Sequence, residues 1–253
     1  MTTGVLRHRF AYARFGHGPP VVVLPGMALR NPTPGRILEA GYHQAFRALA
    51  ADHTVHIIQR PRGLGAGATT RDIAAEYATV LDDLGPVDLI GMSTGGMIAQ
   101  HVAVDRPDLV RTLTLVVTGT RLSPSGRAIC ERWRELAAAG RWRRLHGDMA
   151  AVAIDGRAAQ RLARIMLAAT GKAPTAQEAA DFTVTVNAVL SHDVAFDPVM
   201  PLLFVCGSAD PFFEPDPRAV VYPAGHGLPK RHNARLQAQI RQRLSSSATD
   251  VAG

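Results

Sequence analysis

Along the first half of the chain, short unbroken apolar runs alternate with longer stretches whose apolar residues recur at three- and four-residue spacing. Residues 5–10 and 11–15 alternate apolar and polar positions, as edge strands do, and Gly16-His17-Gly18-Pro19-Pro20 reads as a turn. The run at 21–24 is a buried strand ending at Pro25-Gly26-Met27, residues 39–51 form a helix, and 54–59 form the next strand. A glycine-rich loop at 60–67 precedes a helix over 70–84, with Thr69 and Thr70 as N-cap candidates. A strand at 87–90, a turn at 91–95, a helix from Gly96 and a strand at 111–117 complete the alternation. Short apolar strands separated by amphipathic helices predict an α/β fold, a mostly parallel central sheet with helices on both faces.

At Thr118-Gly119-Thr120 the pattern changes. Residues 121–196 contain no convincing strand and show three or four amphipathic helices, with Ile129, Trp133, Leu136 and Ala137, and then Trp142, Leu145, Met149 and Val152, at helical spacing. We expect a helical lid over 121–196, inserted into a core formed by 1–120 and 197–253. These apolar residues are expected to pack against the core or one another, with some of them also lining a cavity. Sheet elements resume at 201–206 and 218–223, a helix covers about 229–244, and the polar tail at 245–253 is expected to fray.

At 253 residues and 47% hydrophobic content, the chain is long enough for one sizeable core. Neither a signal-like apolar run near the N-terminus nor a span of transmembrane length is visible, and Cys130 and Cys206 fit no disulfide framework or C-x-x-C pair. A cytoplasmic location is expected. The net charge of +7 rests on arginine, since Lys172 and Lys230 are the only lysines. Residues 121–164 alone hold ten arginines against four acids. A solvated helical face accounts for this, as would attraction of an anionic substrate or an acidic partner. Nucleic-acid binding is not expected, because no reading motif or aromatic stacking platform is present.

The chemistry centres on Gly91-Met92-Ser93-Thr94-Gly95, which joins an apolar strand to a helix. Glycines two before and two after the serine permit a sharp bend that lifts Ser93 Oγ into the open at the helix N-terminus. A serine hydroxyl needs a histidine to take its proton and a carboxylate to orient that histidine. His226, in Ala224-Gly225-His226-Gly227 after the last strand, is the candidate base. Asp210, after the penultimate strand in Gly207-Ser208-Ala209-Asp210-Pro211, is the candidate acid, with Asp193, Asp197, Glu214 and Asp216 as competitors; a turn cap before Pro211 is its plainer reading. The expected oxyanion donors are the backbone N–H groups of Thr94 and Met27.

The order Ser93, Asp210, His226, each after a strand, resembles the α/β-hydrolase fold superfamily. Gly95-Gly96-Met97-Ile98-Ala99-Gln100 and Asp105-Arg106-Pro107-Asp108-Leu109-Val110 are similar to the lid-bearing branch containing enol-lactonases, small-ester esterases, carbon–carbon bond hydrolases and cofactor-free haloperoxidases. Three departures stand out. Pro25-Gly26 replaces a common His-Gly pair. Arg60-Pro61-Arg62-Gly63-Leu64-Gly65 carries Arg60 where an aspartate is usual, which bears on how that loop is braced. Between Asp210 and His226 the usual helix is missing, because Pro211, Pro215 and Pro217 forbid it. Either a neighbouring segment or subunit covers the sheet there, or the edge rearranges and displaces Asp210. The first is expected, with Phe212 and Phe213 filling the gap at a homodimer contact.

The leading expectation is a serine hydrolase acting on a small carboxylic ester or lactone through an acyl-enzyme. Alternatives are acyl transfer or thioesterase chemistry on an acidic carrier protein or coenzyme A thioester, and a lyase, cyclase or ligand-binding use of the fold. With no metal or nucleotide signature, no cofactor is implied.

Overall fold

The computed structural model describes residues 1–253 except 32, 34, 153, 155, 171, 229 and 251–253. Eight strands form one sheet in the order β1-β2-β4-β3-β5-β6-β7-β8. They are β1 (Thr2–Leu6), β2 (Phe10–Gly16), β3 (Pro20–Leu24), β4 (Thr54–Ile58), β5 (Val87–Met92), β6 (Val110–Val116), β7 (Leu202–Gly207) and β8 (Val220–Tyr222). β1 pairs antiparallel with β2, and β2 with β4; the remaining neighbours run parallel. Parallel strands need crossovers, and the helices that supply them cover both faces. α1 (Arg36–Phe46) follows β3, α2 (Thr70–Leu81) precedes β5, α3 (Thr94–Asp105) follows it, and α8 (Lys230–Asp250) follows β8. Thr69 caps α2 in a reciprocal capping box with Asp72.

The hairpin break falls earlier than the alternation suggests. Arg7 and His8 adopt φ of 45° and 58°, a tight turn made without glycine or asparagine, so Phe10 belongs to β2. The C-terminal end also differs, because α8 continues through the stretch expected to fray and reaches Asp250, with Ser245 Oγ bonding back to the Arg241 carbonyl. The start of that helix at Pro229 lies outside the described residues.

Between β6 and β7 the chain forms α4 (Pro124–Ala138), α5 (Trp142–Val152), α6 (Arg157–Thr170) and α7 (Ala176–Leu190). This segment answers the question posed by the missing helix between β7 and β8. Phe204 and Cys206 on β7 pack in one cluster with Ala188 of α7 and Met200, flanked by Val184, Phe196 and Ala219. The end of α7 and the return segment thus occupy the uncovered sheet face, and Arg218 closes it by lying 5.3 Å over the Phe196 ring. The expectation for Phe212 and Phe213 is corrected. Both are 4% exposed within the single chain and pack with Trp133 of α4, so neither is available for a homodimer contact.

Candidate active site

β5 enters the site as a fully paired central strand, and the chain then turns abruptly into α3. Ser93 makes the turn at φ 51° and ψ −120°, outside the regions an L-residue prefers. Surrounding bonds hold it there. Its N–H donates to the Val116 carbonyl at 3.0 Å, and its own carbonyl accepts from Thr118 Oγ1 at 2.8 Å. Gly95 is required because α3 crosses β3 so closely that a Cβ would lie 2.1 Å from the Leu24 carbonyl oxygen. Val117, just after β6, is also left-handed at φ 45° and lines the same cavity as the serine.

Beyond β7, Ser208 and Ala209 donate backbone bonds to Tyr222 and Ala224, tying the Asp210 loop to the loop that carries His226. The Asp210 carboxylate is almost wholly buried. Its Oδ1 accepts the Phe212 N–H at 2.8 Å, and its two oxygens lie 3.1 and 2.9 Å from His226 Nδ1. On the far side of the ring, His226 Nε2 lies 2.9 Å from Ser93 Oγ. With a carboxylate against Nδ1, the tautomer that fits puts the imidazole proton on Nδ1 and leaves the Nε2 lone pair facing the hydroxyl. Phe212 packs 4.5 Å from the imidazole, centroid to centroid, which shields this hydrogen-bond chain from water. Among the competing carboxylates, Asp216 is engaged by Arg218, while Asp193, Asp197 and Glu214 are exposed.

Ser93 and His226 line a cavity of about 630 Å³. Met27 and Thr94 line it as well, and neither of their backbone N–H groups donates to an acceptor among the described residues. Its walls are mainly apolar, formed by Leu122, Trp133 of α4, Met149 and Val152 of α5, and Val189 of α7. Three of the four helices between β6 and β7, namely α4, α5 and α7, therefore contribute most of one wall. Among the described residues, no three His, Cys, Asp or Glu side chains are grouped to hold a metal ion, and no helix is long and apolar enough to cross a membrane.

Three contributors escaped sequence reasoning. Thr118 braces the serine turn through its hydroxyl, a role no spacing reveals. Asp181 on α7 accepts the N–H groups of Gly63 and Leu64 at 3.0 and 2.8 Å, bracing the loop that lacks its usual aspartate from a helix more than a hundred residues away. Arg60 turns inward and donates to the Gly26 and Ala28 carbonyls. Its presence was legible as a departure, but its partners were not.

Residues 21–244 match the alpha/beta hydrolase family. Over 168 residues the chain is 31% identical to a pimeloyl-(acyl-carrier protein) methyl ester esterase of Chromobacterium violaceum, an alignment spanning 64% of this chain and 58% of the relative. The fold is similar to that of an enol-lactonase from Burkholderia xenovorans, with TM-score 0.72, 14% identity and coverage of 96% of this chain and 100% of the other. It is also similar to a thermophilic esterase from Thermogutta terrifontis, with TM-score 0.66, 21% identity and coverage of 94% and 93%. A match that takes in every strand from β3 to β8, together with this architecture, means that the chain belongs to the alpha/beta hydrolase family.

Proposed function

We propose that the chain is a serine hydrolase that cleaves a small, largely apolar carboxylic ester or lactone. Ser93 Oγ attacks the carbonyl carbon and passes its proton to His226 Nε2, while Asp210 orients the ring and stabilises the imidazolium. The Met27 and Thr94 N–H groups receive the oxyanion. Collapse of the tetrahedral intermediate expels the alkoxide, which takes the proton from His226; a lactone keeps this hydroxyl on the acyl chain. Water then gives its proton to the same Nε2, attacks the acyl carbon, and releases the acid as Ser93 recovers its proton. The supporting observation is the unbroken hydrogen-bond chain from Ser93 through His226 to Asp210, beside two unpaired N–H groups at a mainly apolar cavity. The α4–α7 segment serves as the lid, with α4, α5 and α7 supplying the side chains that select the acyl group. Two free, buried cysteines agree with a cytoplasmic setting.

Mass spectrometry after fluorophosphonate treatment tests this reading. A single adduct on Ser93, absent in Ser93→Ala and much slower to form in His226→Ala, is the expected outcome. A folded wild-type protein that forms no adduct and turns over no p-nitrophenyl ester would overturn it.

A second reading, turnover of an acyl group on an acidic carrier or coenzyme A, draws on the surface of α6. Leu162, Ile165 and Met166 are 63%, 61% and 57% exposed there, on a helix that also exposes Arg161 and Arg164. The curated relative quoted above is named for a carrier-linked ester. Replacing the exposed Arg141, Arg143 and Arg144 by glutamate would weaken carrier turnover and spare a neutral ester if this reading holds.

A further inference from the structure

Arg60 follows β4 by two residues and is 2% exposed, yet none of the described acidic side chains lies within 4 Å of its guanidinium. Its nearest carboxylate influence, Asp181, is already engaged by Gly63, Leu64 and Gln177. Carbonyl dipoles instead face the cation. Nη1 donates to the Gly26 oxygen at 2.9 Å, and Nη2 to the Ala28 oxygen at 3.1 Å, with Asn31 Oδ1 at 3.4 Å. Burying a cation without an ion-pair partner is costly, so the contacts it makes need a reason.

The Gly26 oxygen and the Met27 N–H are the two ends of one peptide group. Amide resonance couples them: a cation bound at the oxygen favours the form with a C=N double bond and makes the N–H a stronger donor. That peptide lies against the nucleophile, since a Cβ on Gly26 would sit 3.2 Å from Ser93 Cβ and 3.7 Å from its Oγ. The second contact, at Ala28, holds the chain just beyond Met27. One side chain thus grips the carbonyls on both sides of the Met27 N–H from behind the cavity wall.

We propose that Arg60 is a positioning residue that fixes and polarises the Gly26–Met27 peptide, strengthening the Met27 N–H as an oxyanion donor. This rests on the hydrolase reading given above. The effect belongs to the transition state, because the ground-state carbonyl carries little of the charge that the oxyanion does.

The test compares wild type, Arg60→Met and Arg60→Lys on a short p-nitrophenyl ester, with Ki values for a trifluoromethyl ketone that adds to Ser93 and for the carboxylate product. In Arg60→Met, kcat should fall about 30-fold, short of the 10²–10³ typical of losing a donor outright, with KM within about two-fold. Ketone affinity should fall in parallel while product affinity stays put. Arg60→Lys keeps a cation able to reach one carbonyl, so it should lose about three- to ten-fold with the same split, and it decides the matter if Arg60→Met does not fold. Loss of ketone and product affinity together, or unchanged kcat in a folded variant, would overturn the proposal. Absence of a Ser93 adduct in wild type would instead overturn the hydrolase reading beneath it.

Discussion

The Ser93 turn and the α5–α6 pair both rest on a close glycine contact but are tied to their surroundings by different means. Around Ser93, backbone packs on backbone: α3 lies so close to β3 that Gly95 has no room for a methyl group, and the serine is locked by bonds to Val116 and Thr118. At α5–α6 the helices also meet through a glycine, since a Cβ on Gly147 would lie 2.3 Å from the Arg164 carbonyl oxygen, but side chains tie the pair to α4. Asp148 of α5, 3% exposed, takes Arg132 of α4 at 2.7 Å and Arg164 of α6 at 2.8 Å, while the outer face of α6 leaves Leu162 and Ile165 in water. On the proposed mechanism, the first arrangement suits a nucleophile that must be placed within tenths of an ångström. The second suits a wall proposed to choose among substrates, because exchanging side chains there leaves the sheet untouched.

The sharpest way to break the contrast is Gly95→Ala. Its methyl group would meet the Leu24 carbonyl 2.1 Å away, where neither partner is a flexible side chain. We expect a loss of about 4 kcal/mol or more, an overpacking penalty at the upper end of single substitutions, seen as collapse of the urea midpoint. A stable Gly95→Ala protein would mean that α3 is free to slide.

The contact of α2 and α3 with the segment that follows α7 gives the next effect. Thr70 of α2 lies 2.8 Å from His192 Nδ1, just beyond α7, and 3.1 Å from His101 Nε2 of α3. Burial lowers the His192 pKa from 6.5 to about 3, assisted by His101, and burial also lowers that of His101. Both histidines therefore fold neutral. Above about pH 6.5 neither state binds the proton and stability is unaffected. Below it the unfolded chain takes up a proton that folded His192 refuses until about pH 3, and the lowered His101 acts in the same direction, so stability falls across that window. His192→Asn, which can still meet Thr70, should flatten the acid limb of the Tm profile between pH 6 and 4; an unchanged slope would place the acid sensitivity elsewhere.

These regions also differ in how far they could be read beforehand. The Ser93 turn was legible because its signal is local: glycine spacing, an apolar run and a helix start all fall within a few residues. Asp210 and His226 stood out for the same reason, each in a short polar break after a strand, and the structure brings both within hydrogen-bond reach of the Ser93 chain. Contacts across long sequence distances were not legible. Nothing in the chain announces that Ala188 and Phe196 cover β7 in place of a helix, or that Phe212 turns inward onto His226. Prolines told correctly where a helix could not form, but not what would fill the space. The hairpin turn at Arg7 and His8 was misplaced because it uses left-handed backbone without the residues that usually mark it.

The smallest effect should come from the charge clamp, and it distinguishes a wall from a scaffold. In Asp148→Asn the amide keeps its volume and one acceptor but no longer offsets Arg132 and Arg164, both of which are about half exposed and partly screened by water. We expect a global cost of only about 1 kcal/mol, since α5 and α6 still pack on each other. Met149, next along α5, and Val152 at its end line the cavity, so loosening this helix should raise KM for a long acyl chain several-fold while leaving kcat for an acetate ester near wild type. The serine turn, anchored by backbone, would not sense the change. Equal loss of kcat on short and long esters would mean that the α5–α6 pair holds the nucleophile as well as the acyl group, and the division between the two regions would fail.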